Sequence, residues 1–232
     1  MILYGRNPVR EALRGHRDVS RIWTTNAAAR EPWIAESQVE THRAESEELT
    51  ALSGSEEHQG VCAEVSDYQY VSAKQLLDAP DALVLVLDEI QDPHNLGALA
   101  RVAECAGAAG MVIAERRSAE VTPAVCKASA GAVEHLAIAR VGNISDYLAT
   151  AKAAEAWVYG ASADGDAAYD QPDFNGKVVL VVGSEGKGLR PRVAKSCDAL
   201  ISIPMHGRVG SLNVSTATAV LMWSILQSRV QK

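Results

Sequence analysis

The segment "ALVLVLDEIQDPHNLGALARVAECAGAAGMVIAE", residues 82–115, decides the fold class of this 232-residue chain. A nearly continuous apolar run leads into a Leu- and Ala-rich stretch with helical spacing, and a second apolar run follows. Strands that are buried on both faces have this composition, and a helical crossover between two such strands makes them parallel. Small residues over 98–110 would let the helix pack closely on the sheet. The segment therefore predicts a β-α-β unit.

The same alternation continues toward the end of the chain. Short apolar runs recur at residues 136–141, 156–162, 177–185 and 199–205, mostly with helical patterns between them. This arrangement is typical of an α/β domain with a mostly parallel sheet that is covered by helices on both faces.

Residues upstream of this region form a separate and smaller α/β pattern. Strands are expected within 19–25, 38–44 and 59–66, and helical patterns occur over 28–37 and 46–53. Asn7 is expected to cap a first helix, with Pro8 at its first position. A polar segment that ends near Pro80 then separates the two patterns. We predict a first, smaller domain over residues 1–66, a linker over 67–80 and a second domain over 81–232.

Composition narrows the class of protein. The first residues lack the apolar core of a signal peptide, and no apolar run reaches the roughly 18 residues of a membrane span. We therefore expect a cytoplasmic protein with no membrane partner. The four cysteines are far apart and form no CxxC pair, which favours buried free thiols over a zinc site or disulfides.

The chain has a net charge of −7, but its charged residues are unevenly distributed along the sequence. Residues 1–30 carry six arginines against two acidic residues, whereas residues 31–57 carry eight glutamates against one arginine. The first stretch is either a basic edge that contacts nucleic acid or simply a solvated surface, and charge alone leaves both interpretations open.

Polar groups accumulate where the strands of the second domain are expected to end, which is where open α/β sheets bind ligands. After the first strand, Asn95 stands at an expected helix N-cap and Arg101 follows six residues later. A capped helix with an arginine that extends into solvent would explain this segment alone.

A glycine-rich turn with glycines at 183, 186 and 188 follows a later strand and contains Glu185. Its spacing matches neither common nucleotide-phosphate loop, and a carboxylate there would repel a polyphosphate. Ser211 and Asn213 then precede the last apolar helix. One of them is enough for a cap, so the additional polar groups favour a binding site.

Together the three segments "DPHNLGALAR", "VVGSEGKGL" and "IPMHGRVGSLNVSTATAV" resemble, in order and spacing, the motifs of the SpoU (TrmH-type) branch of the SPOUT RNA methyltransferases. The N-terminal "YGRNPVREALRG" and "HQGVCAEV" resemble the small L30e-like substrate-binding domain of the subgroup that methylates guanosine in large-subunit ribosomal RNA. The resemblance implies a catalytic domain with a deep trefoil knot and a homodimer. It also implies transfer of a methyl group from S-adenosylmethionine to a ribose 2′-hydroxyl of large-subunit ribosomal RNA.

The resemblance also implies which residues form the site. The residues that match the family's catalytic set are Asn95, Arg101, Glu185, Ser211 and Asn213. Those implied at the cofactor are Gly183, Ser184, Gly186, Ile203, Met205 and Leu212. The family assigns a general base to the position of Arg101, but a guanidinium stays protonated, so we expect it to hold the substrate phosphate and stabilise alkoxide charge. The reaction needs no metal.

Other functions stay open at the level of sequence. The same chemistry could act on transfer RNA, or on ribosomal RNA as a resistance methylation. Two further alternatives are a non-catalytic RNA-binding assembly factor and a small-molecule α/β enzyme. The intact polar set disfavours the assembly factor, and Glu185 disfavours a nucleotide-binding enzyme.

Overall fold

The computed structural model describes residues 1–230, so residues 231–232 of the predicted catalytic domain lie outside the described residues. The first part of the chain folds into a four-stranded mixed sheet of order β1-β4-β2-β3. Its elements are β1 (Ile2–Tyr4), α1 (Arg6–Arg14), β2 (Val19–Thr24), α2 (Pro32–Ala35), β3 (Thr41–Arg43), α3 (Ser46–Ser53) and β4 (Val61–Val65).

The second part folds around a seven-stranded sheet of order β7-β6-β5-β10-β8-β11-β9, in which every strand pair is parallel. Its elements are β5 (Leu83–Asp88), α4 (Pro93–Cys105), β6 (Gly110–Ala114), α5 (Pro123–Ala128), β7 (Ile138–Val141), α6 (Ile144–Ala153), β8 (Trp157–Ala161), β9 (Ala167–Ala168), β10 (Val178–Gly183), α7 (Pro191–Ser196), β11 (Ala199–Ser202) and α8 (Val214–Val230).

Side chains along the central strands alternate between two apolar cores, one on each face of the sheet. In β5, Leu83, Leu85 and Leu87 join the core on one face, whereas Val84 and Val86 join the core on the other. The prediction of an α/β domain with a parallel sheet covered on both faces is confirmed. The trefoil knot stays a prediction.

Two predicted helix caps were wrong. α1 begins after Gly5, whose φ of 96° is left-handed and therefore suits glycine, so Asn7 lies inside the helix. α4 is capped by Asp92, whose carboxylate accepts the backbone N–H groups of His94 and Asn95 at 3.1 and 3.3 Å. Pro93 is the first residue of α4, because its fixed φ suits that position.

Two short strands, β1 and β9, were missed by the sequence patterns.

The cysteines also differ from expectation: Cys62 and Cys126 are buried and Cys197 is partly buried, but Cys105 on α4 is exposed. Within residues 1–230, no helix is long and apolar enough to cross a membrane.

The predicted linker over 67–80 packs on the second sheet. Val71 donates its backbone N–H to Ile138 at 2.9 Å, and the Tyr68 hydroxyl donates to the Leu136 carbonyl at 2.7 Å. The two parts of the chain also contact each other directly through a buried ion pair of Arg17 and Glu134, whose side chains are 5% and 0% exposed. Such contacts hold the small domain against the large one.

Candidate functional site

A cleft of 730 Å³ opens beside the carboxyl ends of β8, β10 and β11. One wall is the turn over residues 183–189, and the opposite wall is formed by residues 203–205 and 210–214. This is the sheet edge at which parallel α/β folds bind ligands.

The turn after β10 has a tight conformation that depends on its glycines. The Gly188 N–H donates to the Ser184 carbonyl at 2.9 Å, and Gly186 and Gly188 have left-handed φ values of 76° and 63°. At Gly183, a Cβ would lie only 2.2 Å from the Gly188 backbone. Gly183 is therefore needed because the backbone of its own turn approaches closely.

All six residues implied at the cofactor line this one cleft: Gly183, Ser184, Gly186, Ile203, Met205 and Leu212. Ile203 and Met205 are partly buried, and Leu212 is 41% exposed at the mouth. The cleft therefore combines apolar side chains on one wall with a polar, backbone-rich turn on the other. That combination suits a ligand with a flat apolar ring and polar edges.

Three of the five implied catalytic residues meet at the cleft mouth. The Asn213 amide donates to Glu185 Oε1 at 2.7 Å and to Asn95 Oδ1 at 3.3 Å. Its Oδ1 accepts the backbone N–H and the hydroxyl of Ser215 at 2.9 and 2.6 Å, so Asn213 also caps α8. These bonds use both amide hydrogens and both lone pairs of Asn213.

Glu185 Oε2 and the Asn95 amide nitrogen therefore stay available for a ligand. Neither atom has a hydrogen-bond partner among residues 1–230. Ser211 lines the same cleft and is exposed. An available acceptor and an available donor at one mouth can orient a hydroxyl group.

Arg101 is not part of this group within one chain. Its side chain is exposed, and no hydrogen bond or ion pair holds its guanidinium anywhere in residues 1–230. Six residues of α-helix separate it from Asn95, which places the two side chains roughly 120° apart around α4. The spacing in the sequence could have excluded a shared face.

Sequence reasoning missed a pair that supports the turn. The fully buried Asp88, at the end of β5, accepts the Arg190 backbone N–H at 2.8 Å and its guanidinium at 2.7 and 2.6 Å. The hydrogen bond to Asp88 raises the pKa of Arg190 above its ordinary value. Because Arg190 ends the glycine-rich turn, the pair fixes that turn to the sheet. The sequence signal that could have drawn attention to this pair is an acidic residue at the end of a buried strand.

Most of the arginines in residues 1–30, which could form either a basic edge or a solvated surface, are paired with acidic residues. Arg17 is buried on Glu134, so it is not part of any exposed edge. Four more of these arginines form ion pairs with acidic neighbours, namely Arg6 with Glu31, Arg10 and Arg14 with Glu11, and Arg21 with Glu40. These pairs reduce the positive field that the sequence alone suggested.

Two parts of the chain match known protein families. Residues 82–223 match the SpoU rRNA Methylase family, and residues 2–71 match the domain described as RNA 2′-O ribose methyltransferase substrate binding.

Relatives of similar sequence carry both parts. A 23S rRNA (guanosine-2′-O-)-methyltransferase RlmB of Pseudomonas putida is 36% identical over 99% of this chain and 97% of its own length. An uncharacterised tRNA/rRNA methyltransferase of Synechocystis is 38% identical over 98% of this chain, which spans 62% of that protein.

Solved structures share the fold. The SpoU methyltransferase AviRb of Streptomyces viridochromogenes, in complex with the cofactor AdoMet, superimposes with a TM-score of 0.85 at 23% identity. The superposition covers 99% of this chain and 90% of that one.

Proposed function

Since this chain belongs to the SpoU family of S-adenosylmethionine-dependent RNA 2′-O-ribose methyltransferases, we propose that its substrate is a guanosine of large-subunit ribosomal RNA. The observation that carries this proposal is the full-length similarity to the Pseudomonas putida enzyme, which includes the N-terminal domain as well as the catalytic domain. We further propose that residues 1–66 bind the substrate, that 67–80 connect the domains and that 81–232 form the catalytic domain.

S-adenosylmethionine supplies a methyl group that its positively charged sulfur already activates. The cleft fits this group: Ile203, Met205 and Leu212 would hold the adenine, while backbone groups of the turn over residues 183–186 would bond its polar edges. Space beside Gly186 is open to a ligand, because a Cβ there would meet nothing within 4 Å.

The chain's own residues then have to align the ribose hydroxyl and help it lose its proton. We assign Glu185 and Asn95 to the hydroxyl groups of the ribose, since each offers an unused polar atom at the mouth of the cleft. Asn213 acts as a positioning residue, because its side chain is fully occupied by Glu185, Asn95 and Ser215. Ser211 lies on the same wall and would contact the sugar or its phosphate.

Arg101 acts, in this proposal, at the site of the partner in a homodimer. Its guanidinium makes no hydrogen bond or ion pair among residues 1–230, and α4 and α8, which contact each other, expose Cys105 and the 48%-exposed Trp223. Tryptophan is enriched at protein interfaces, so this half-exposed side chain supports the proposal that a second chain covers the surface.

Mixed dimers test this assignment. Arg101→Ala and Glu185→Ala are each expected to be inactive, but a mixture reassembled from unfolded chains regains one intact site per heterodimer, or about a quarter of wild-type activity. If both residues act within one chain, every site in the mixture carries a defect and the activity stays absent.

The substrate is tested by mapping 2′-O-methyl positions in ribosomal and transfer RNA from cells with and without the gene. We expect one guanosine of large-subunit ribosomal RNA to lose its methyl group when the gene is deleted. A lost methyl group in transfer RNA, with ribosomal RNA unchanged, would establish the transfer-RNA alternative instead.

A further inference from the structure

An arginine-glutamate-arginine cluster lies at the same sheet edge as the cofactor cleft and has no role in the mechanism above. Glu89, which follows β5, has its Oε1 3.5 Å from Arg117 Nη1 and 3.5 Å from Arg190 Nη1. Arg190 directly follows Leu189, which lines the cleft. The cluster therefore adjoins the rim of the proposed active site.

Backbone strain is concentrated in this cluster. Among residues 1–230, five non-glycine residues have positive φ, and two of them, Glu89 (60°) and Arg117 (58°), face each other here. Such conformations persist only where the surroundings impose them, and they cluster at functional sites. The loop that carries Arg117 is held to the Ile90 carbonyl by the Ala119 N–H at 2.8 Å and the Ser118 hydroxyl at 3.2 Å.

The acidic side chains of the cluster are more buried than the basic ones. The acids lie inside, with side chains 0% exposed at Asp88 and 17% at Glu89, whereas the cations lie outside, 43% exposed at Arg190 and 76% at Arg117. A ligand that approaches from solvent therefore meets two guanidinium groups before it meets a carboxylate. Two arginines with unused N–H groups form a fork suited to phosphate oxygens.

A stabilising role accounts for Arg190 but not for Arg117. Arg190 has a structural partner in the buried Asp88, but Arg117 has only a long contact to Glu89 and is mostly exposed. Exposed ion pairs of this kind add little stability, so stability does not account for a strained backbone at Arg117.

We propose that Arg117 and Arg190 form a subsite for a backbone phosphate of the substrate RNA, beside the nucleotide that is methylated. Glu89 acts as a positioning residue that spaces the two guanidinium groups, and the Asp88–Arg190 pair couples the subsite to the cofactor turn. The subsite rests on the proposed function, because it assumes an RNA substrate at the cleft.

Salt-dependent RNA binding tests the subsite. The probes are unmodified transcripts of large-subunit ribosomal RNA and of a transfer RNA, titrated between 50 and 200 mM KCl. Arg117→Asn removes the charge with a residue that tolerates left-handed φ, and Arg117→Lys keeps the charge. Lys74→Gln is the matched control, since Lys74 is exposed beside the turn at Gln75–Leu77, which packs on the opposite end of β6.

Loss of one phosphate contact lowers the salt slope of log K by about 0.7 to 0.9. The ratio of the Arg117→Asn Kd to the wild-type Kd should therefore shrink about threefold as salt rises over this range. Arg117→Lys and Lys74→Gln should keep the wild-type slope, and S-adenosylmethionine should bind Arg117→Asn as it binds the wild type.

A wild-type slope for Arg117→Asn overturns the subsite, and so does a loss of RNA affinity accompanied by loss of cofactor binding. Failure of the proposed function is a separate result, because it would appear as a wild-type protein that methylates neither transcript.

Discussion

Substituting Gly183 by alanine tests whether the turn over residues 183–189 positions the catalytic groups. The new Cβ would lie 2.2 Å from the carbonyl carbon and oxygen of Gly188 and 2.5 Å from the Leu189 nitrogen. Ordinary contacts begin near 3.4 Å, so the backbone of the turn has to retreat by about 1.2 Å. Because the obstacle is backbone, no side-chain rotation can relieve it.

A retreat of the turn would also displace Glu185, because Glu185 lies within the turn. Its Oε1 is 2.7 Å from the Asn213 amide, and a retreat of that size would stretch the contact to about 3.9 Å, beyond hydrogen-bond range. Misplacing a reacting group by about 1 Å costs on the order of 100-fold in rate. Overpacking also costs about 1–3 kcal/mol of stability, which leaves a folded domain.

Three assays measure the effect of Gly183→Ala. Titration calorimetry gives the affinity for S-adenosylmethionine, single-turnover methyl transfer gives the rate, and urea unfolding gives the stability. Gly183→Ala should lose cofactor affinity and about 100-fold in rate. Gly107→Ala is the control, because Gly107 (φ 65°) lies in the turn before β6 and has nothing within 4 Å of a Cβ. It should lose stability through left-handed strain alone. Wild-type affinity and rate for Gly183→Ala would refute the reasoning.

Three further predictions concern the site and the contact between domains. Arg101→Ala should keep its melting temperature, because the side chain is exposed, while the methyl-transfer rate falls roughly 10²–10³-fold in a single-turnover assay. Arg17→Met should destabilise the fold to urea by roughly 3–5 kcal/mol, because it leaves the Glu134 carboxylate buried and unpaired, and adding Glu134→Leu should recover most of that loss. Burial of Glu11 opposes ionisation, but hydrogen bonds from His135 and Arg10 outweigh it and hold the pKa of Glu11 below 4.5. The stability advantage of the wild type over Glu11→Gln should therefore be full above pH 4.5 and disappear as pH falls through that lowered pKa, as measured by urea unfolding at each pH.

Local patterns predicted the parallel sheet well because they depend on residues that are adjacent in the chain. The apolar run that begins at residue 82 contains β5 (Leu83–Asp88), since a strand buried on both faces needs an unbroken apolar sequence. In contrast, β1 has only three residues and is stabilised by pairing with β4, some sixty positions away, which no local pattern records.

Local patterns likewise predicted only part of the candidate site. The structure brings Glu185, Asn213 and Asn95 together through hydrogen bonds that join residues 28 and 118 positions apart, which no local pattern records. The Asp88–Arg190 pair spans 102 positions, so the sequence marks Asp88 as an acid at the end of a buried strand but does not show its partner. The position of Arg17 in an arginine-rich stretch suggested an exposed residue, because only the packed domains show that Glu134 covers it.

Transfer of a labelled methyl group to RNA tests the central claim most directly. Purified protein is incubated with S-adenosylmethionine carrying a tritiated methyl group and an unmodified large-subunit ribosomal RNA transcript, and the RNA is then digested to nucleosides. We expect label in 2′-O-methylguanosine with the wild type and almost none with Glu185→Ala. Label on a base, label that persists with Glu185→Ala, or no label in any RNA offered would contradict it.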